Sequence, residues 1–160
     1  MSRTLQHILL FTLLLLADQA SKYWIEQQLP FYHFTVIDGF FNIVKAHNFG
    51  VAFSMFAEWN HQWRTTLLLG VTMGISIAVF VWWLKTRNKP GLEPWLLVLI
   101  LAGASGNIWD RLQLGYVVDF IQWYVVIGGK GYYWPAFNIA DACISVAVVL
   151  MLIHSFRKSS

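Results

Sequence analysis

Thr65-Thr-Leu-Leu-Leu-Gly-Val-Thr-Met-Gly-Ile-Ser-Ile-Ala-Val-Phe-Val-Trp-Trp-Leu84 is a run of twenty residues without a charge. At about 1.5 Å of rise per residue, a helix of this length crosses the roughly 30 Å of hydrocarbon in a bilayer. The run therefore predicts a transmembrane helix over 65–84. Trp82 and Trp83 close it, and amphipathic rings favour the headgroup level. Gly70 and Gly74 stand at the small-xxx-small spacing suited to close helix packing. A short basic loop, Lys85-Thr-Arg-Asn-Lys89, follows.

The composition of the whole chain agrees. Hydrophobic residues make up 58% of the 160 and charged residues 12%, against about 45–50% and about 25% in soluble domains. The length fits one domain, 1–160. The net charge of +3 comes from few acids and lacks the basic clustering that nucleic-acid binding requires. Nine Trp and six Tyr suit membrane interfaces. The single cysteine, Cys143, excludes an internal disulfide and a multi-cysteine metal site, and within an apolar run it reads as a small hydrophobe.

Three more apolar runs predict helices over 5–27, 94–111 and 137–156. The first follows Arg3, as a signal peptide would. It has no small-x-small cleavage site and continues in helical character through Asp18 and Lys22, so a retained helix is expected. Asp18 and Lys22 are spaced i,i+4 and can pair on one helix face. The 94–111 run opens with Pro94, tolerated at a helix start, and places Asn107 and Asp110 on one face with Arg111 beside them. Between the first two helices, Pro30, the Asp38-Gly39 turn signal and the runs 34–37 and 40–45 suggest short strands. Asn48-Phe-Gly50-Val-Ala52-Phe53-Ser reads as a loop with a permissive glycine. Residues 121–135 read as an aromatic, glycine-rich loop, with Gly128–Gly131 at its flexible surface. The fold expected is an all-α membrane protein of four transmembrane helices with a small outward β-sheet on the membrane surface. The outward segments are 28–64 and 112–136.

Four spans put both termini on one side, together with Arg3, Lys85, Arg87, Lys89, Arg157 and Lys158. The positive-inside rule makes that side cytoplasmic. Asp18, Asp110, Asp119 and Asp141 then converge near the outer surface, half of the eight acids in the chain.

Acids beside hydrocarbon are functional candidates by default. Two carboxylates a few ångströms apart share one proton. The ionised member can take a proton from water while the protonated one polarises a carbonyl. Other schemes fit less well. His33, His47 and His61 lack His-x-x-x-His spacing, so no metal site is expected. No Gly-x-Ser-x-Gly motif is present. Asp141, three residues after Asn138, also stands where a helix cap would. These residues leave a catalytic site and a transport site both open.

The motifs together resemble the lipoprotein signal peptidases (type II signal peptidases), aspartic proteases of the bacterial cytoplasmic membrane. The matching residues are Asp18-Gln-x-x-Lys22, Asn48-x-Gly50-x-Ala52-Phe53, Gly106-Asn107-x-x-Asp110-Arg111, Val118-Asp119-Phe120 and Phe137-Asn138-x-Ala140-Asp141. The resemblance implies Asp119 and Asp141 as the catalytic dyad, and a diacylglyceryl-prolipoprotein substrate cut just before its lipidated cysteine. It implies that Asn48, Gly50, Asn107, Arg111, Asn138 and Ala140 position substrate or dyad, and that Asp18, Lys22 and Asp110 give structural support. It further implies no cofactor, contact with membrane lipid, inhibition by the cyclic peptide globomycin, and a monomer in the inner membrane. Trp109, Trp123, Tyr124 and Trp134 are expected to flank the site at the lipid surface, with 121–135 as a flap over it.

Overall fold

In a computed structural model, which describes residues 1–28, 31–50 and 61–159, the four apolar runs form α1 (Arg3–Glu26), α2 (His61–Thr86), α3 (Glu93–Gln113) and α4 (Ile139–Ser159). Strands β1 (His33–Ile37) and β2 (Phe41–Asn48) lie between α1 and α2, and β3 (Val117–Ile127) and β4 (Lys130–Tyr133) between α3 and α4. Pro30 and the Ala52-Phe53 part of the second motif lie outside the described residues.

Local chemistry explains the helix ends. The Ser2 hydroxyl accepts the Leu5 N–H at 3.3 Å and caps α1. Pro94 stands in the first turn of α3, where its missing N–H loses no bond. After α3, Gly115 takes φ +81 and its N–H bonds the Arg111 carbonyl at 3.1 Å, so the chain turns out of the helix.

Three of the helices, over Arg3–Glu26, Thr65–Thr86 and Ile139–Arg157, are long and apolar enough to cross a membrane. Their outer faces expose Leu9, Leu13 and Leu16 on α1, Val71 and Ile75 on α2, and Val149 and Ile153 on α4. Contiguous exposure of this kind fits a bundle surrounded by lipid rather than water. α3 packs against all three and buries Leu96, Leu97, Val98, Ala102 and Ala104. His7 of α1 meets Trp83 of α2 and Trp95 of α3 at one end. Lys22 of α1 meets Asp110 of α3 at the other. The helices therefore alternate in direction.

The closest helix approach is not where the Gly70/Gly74 spacing suggested. A Cβ at either position would meet nothing within 4 Å, because that face of α2 looks outward. The helix glycines that admit a neighbour are Gly103 and Gly106. A Cβ at Gly103 would strike the Ala140 carbonyl, and one at Gly106 the Asp18 carboxylate. They let α3 sit directly against α4 and α1.

The four strands form one antiparallel sheet in the order β1-β2-β3-β4. Asp38-Gly39 turns β1 into β2 as expected, with Gly39 at φ +75. β2 extends to Asn48 and pairs with β3, setting Ala46 opposite Asp119 and Asn48 opposite Val117. The stretch 121–135 is a correction to the sequence reading. It is a hairpin, not a loop, with Ile127 paired to Lys130 around Gly128-Gly129. Both glycines have positive φ (58 and 78), the backbone a two-residue turn needs to match strand twist. The β-branched and aromatic residues on either side then pair as strands.

Candidate active site

The site is built on a buried charged cluster. Lys22 Nζ lies 2.9 Å from Asp18 Oδ2 and 2.9 Å from Asp110 Oδ2, and donates to Asn107 Oδ1 at 3.0 Å. An ammonium has three donors, and all are used. Asp18 Oδ1 accepts the Ala140 N–H at 2.9 Å. Asp110 accepts from Gln19 Nε2 at 3.0 Å and from the Val118 N–H at 3.2 Å. One lysine and two aspartates thus tie α1, α3, α4 and the start of β3 together. Asp18, Lys22 and Asp110 are each at most 2% exposed, so each charge depends on the others for compensation.

Asp119 and Asp141 stand beside this cluster. Asp119, on β3, is 2% exposed. Its Oδ1 accepts from Asn138 Nδ2 at 2.7 Å and its Oδ2 from Asn48 Nδ2 at 2.9 Å. Burial, and then the charge of Asp141, push its pKa up to about 7, against the opposing pull of those two amides and Lys22. Asp141, in the first turn of α4, is half-buried. Its Oδ1 accepts from Asn107 Nδ2 at 2.7 Å and its Oδ2 from the Asn138 N–H at 3.4 Å. The Asn138 side-chain oxygen in turn accepts the Asp141 N–H at 2.9 Å. This is a reciprocal capping box. Asn138 is the cap and the candidate acid its reciprocal partner, and Asn138, fully buried, touches both carboxylates.

The other expected residues fall around this pair. Gly50, at φ +75, donates its N–H to Asn48 Oδ1 at 2.8 Å and so orients the amide that reaches Asp119. Arg111 is half-buried, donates to the Asn107 carbonyl at 3.4 Å, and is electrostatically coupled to Asp119 and Asp141. Ala140 is buried against Gly106 and acts through its N–H on Asp18. Trp109, Trp123 and Trp134 are exposed, whereas Tyr124 is buried. Its hydroxyl accepts the Gly39 N–H at 2.7 Å and donates to Asp38 at 3.3 Å, turning the ring inward to lock the β1–β2 turn.

Two contributions escaped the sequence reading. Gln19 bridges Asp18 and Asp110; its place inside the first motif was the available signal. Glu26 pairs with Lys45 at 3.2 Å and with His47 at 2.7 Å, and the His47 ring stacks on Tyr116 with centroids 4.1 Å apart. Burial, then the Glu26 charge, raises the Tyr116 phenol. This second cluster fixes the end of β2 beside Asn48. Among the described residues, no group of three or more His, Cys, Asp or Glu side chains is arranged to hold a metal ion. A carboxylate pair sharing a proton can activate water and polarise a carbonyl without one.

Comparison with known proteins shows the family. A family model described as "Signal peptidase (SPase) II" matches residues 10–157. The lipoprotein signal peptidase of Alteromonas mediterranea is 36% identical over 155 residues, 96% of this chain and 82% of the relative. That of Ralstonia nicotianae is 40% identical over 145 residues, 90% of this chain and 80% of the relative. A solved bacterial membrane enzyme superposes with a TM-score of 0.81 at 31% identity, covering 97% of this chain and 90% of its own.

Proposed function

The chain belongs to the signal peptidase II family, and from that premise we propose that it is an aspartic endopeptidase with Asp119 and Asp141 as its catalytic dyad. Its substrate is a diacylglyceryl-modified prolipoprotein, cut just before the lipidated cysteine. The observation that carries this reading is Asn138, which donates to the Asp119 carboxylate through its side chain and to the Asp141 carboxylate through its backbone N–H, with the Asp119 carboxyl raised to about 7. Asp119, the more deeply buried, holds the shared proton. Ionised Asp141 takes a proton from water, whose oxygen attacks the scissile carbonyl carbon. Asp119 donates its hydrogen bond to the carbonyl oxygen as charge develops there. Collapse of the tetrahedral intermediate breaks the C–N bond, and the proton gained by Asp141 passes to the leaving amine. Nothing in this sequence requires a cofactor.

Asn107 and Asn138 orient the dyad, Asn48 and Gly50 hold Asp119 from the end of β2, and Arg111 completes the substrate side, while the buried Ala140, expected there from sequence, is instead tied through its N–H to Asp18. Asp18, Lys22 and Asp110 support them from beneath. α3, at 21 residues, serves as a fourth spanning helix shielded by the other three. The whole chain, 1–160, acts as one domain in the inner membrane, with the termini cytoplasmic and the site near the outer face. The sheet, from segments 28–64 and 112–136, lies on the membrane surface, where exposed Trp123, Tyr132, Tyr133 and Trp134 suit the headgroup zone. The β3–β4 hairpin covers the site as a flap. The enzyme works as a monomer, contacts membrane lipid, and is inhibited by globomycin bound across the dyad.

The test is a gel-shift assay on a lipidated precursor in detergent. Asp119→Asn and Asp141→Asn should each abolish cleavage while remaining folded, and globomycin should block the wild type. Processing at the wild-type rate by either purified variant would remove the dyad from the mechanism.

A further inference from the structure

The ladder between β2 and β3 slips between Ile43 and Ala46, and β1 pairs with β2 up to Val44. A bulge of this kind interrupts the ladder and bends the strand. Ala46, His47 and Asn48 therefore have β3 on one side and need a second anchor on the other. The end of α1 supplies it. Lys45 Nζ donates to the Glu26 and Gln28 carbonyls at 2.8 and 3.1 Å and lies 3.2 Å from Glu26 Oε2. Its three donors are thereby used, and a cation suits a helix C-terminus. Glu26 Oε1 is buried and has, among the described residues, no hydrogen-bond partner besides His47 Nε2, 2.7 Å away. Strand alternation turns His47 towards α1 and Asn48 to the opposite face. There Asn48 Nδ2 donates to Asp119 Oδ2 at 2.9 Å.

We infer that Glu26 is a positioning residue for the cleavage reaction: through His47 it fixes the strand end that aims the Asn48 amide at Asp119. The inference rests on the reading of Asp119 as a member of the dyad. The amide bond to Asp119 favours its ionised form, against the burial and the Asp141 charge that raise the carboxyl. A slack strand end leaves Asp119 holding its proton to higher pH. The direct field of Glu26 acts in the opposite sense, because removing a negative charge favours ionisation of a nearby acid. The direction of the shift therefore identifies the route. The charged and titratable groups around Glu26 are Lys45, His47 and Tyr116. Those around Asp119 are Asp141, Lys22 and Arg111.

The test follows kcat/KM for a lipidated precursor against pH, with the full-length protein in detergent. Asn48→Ala removes the amide. It should move the alkaline limb up by about one pH unit and lower the plateau about tenfold, the loss expected for one hydrogen bond to a charged group. Glu26→Gln should move the limb in the same direction and lower the plateau several-fold. In the Asn48→Ala background it should do neither, because the amide it positions is gone. His47→Leu should behave as Glu26→Gln does. His47→Gln returns a nitrogen donor near the Nε2 position and should keep the wild-type profile; glutamine does not titrate, so this variant also separates Asp119 from the imidazole as the origin of the limb. Additive losses in the double variant overturn the positioning role. So does a limb that stays or moves down in Glu26→Gln while Asn48→Ala moves it up. Should Glu26→Gln fail to fold, the His47 pair decides, and equal profiles for His47→Leu and His47→Gln overturn the role. A limb that Asn48→Ala leaves in place sets aside the dyad reading of Asp119, and the inference with it.

Discussion

The Asn138 amide and the Asp119 carboxylate meet at 2.7 Å, while the other end of the same amide accepts the Asp141 N–H at 2.9 Å. One short side chain therefore sets the spacing of both acids. Replacing it with alanine removes the bridge and leaves buried polar groups unpaired. Asn138→Ala should lower kcat about a hundredfold, with a smaller change in KM. It should also destabilise the fold by about 2 kcal/mol. Steady-state cleavage of a lipidated precursor and thermal unfolding in detergent measure the two effects.

The raised Asp119 carboxyl, about 7 against a usual 3.8, gives a signed pH dependence. The folded chain binds this proton more tightly than the unfolded one. The stability it contributes is therefore fully present below about pH 4 and is lost as pH rises through about 7. At most this amounts to about 4 kcal/mol. The melting temperature in detergent should fall between pH 5 and pH 8, and Asp119→Asn should flatten that decline. For the proposed dyad, kcat/KM should also fall above about pH 7, as the shared proton leaves.

Lys22 compensates two buried carboxylates, Asp18 and Asp110. Lys22→Met should destabilise the protein by about 3–5 kcal/mol, because both negative charges remain buried without their partner. Combining Lys22→Met with Asp18→Asn and Asp110→Asn should recover part of that loss. Thermal unfolding of the single and triple variants distinguishes charge compensation from simple packing; a triple variant no more stable than Lys22→Met would argue against it.

Gly103→Ala places a methyl group against the Ala140 carbonyl, where backbone cannot yield without moving α4. It should cost about 2 kcal/mol or more and shift Asp141 enough to impair cleavage. Gly70→Ala and Gly74→Ala meet open space and should leave stability unchanged or slightly raised. Melting temperature and precursor cleavage, compared across the three variants, decide the point.

Much of this architecture could be read from residue order. The uncharged run 65–84, the Asp18/Lys22 spacing and the Asn138/Asp141 interval each encode local geometry, and each appears in the structure. What escaped depends on which surface meets which. Gly70/Gly74 and Gly103/Gly106 are similar small-residue pairs in sequence, and only the packing of α3 between α1 and α4 separates them. The β3–β4 hairpin was concealed because its aromatic and β-branched residues look like apolar loop beside a membrane, and the Gly128-Gly129 turn reads equally as flexibility. The Glu26–His47–Tyr116 cluster joins residues far apart in the chain, and no periodicity announces such a meeting.

The capping box at the start of α4 carries a consequence for biogenesis. Asp119 is synthesised before Asn138, and until the last helix docks it has only the Asn48 amide, without that of Asn138 or its neighbouring acid. If the proposed dyad is the catalytic one, a nascent or misassembled copy thus lacks aligned carboxylates, and cleavage waits on the docking of α4. Fraying a single terminal turn of the mature protein would disarm it in the same way, reversibly and without unfolding the rest.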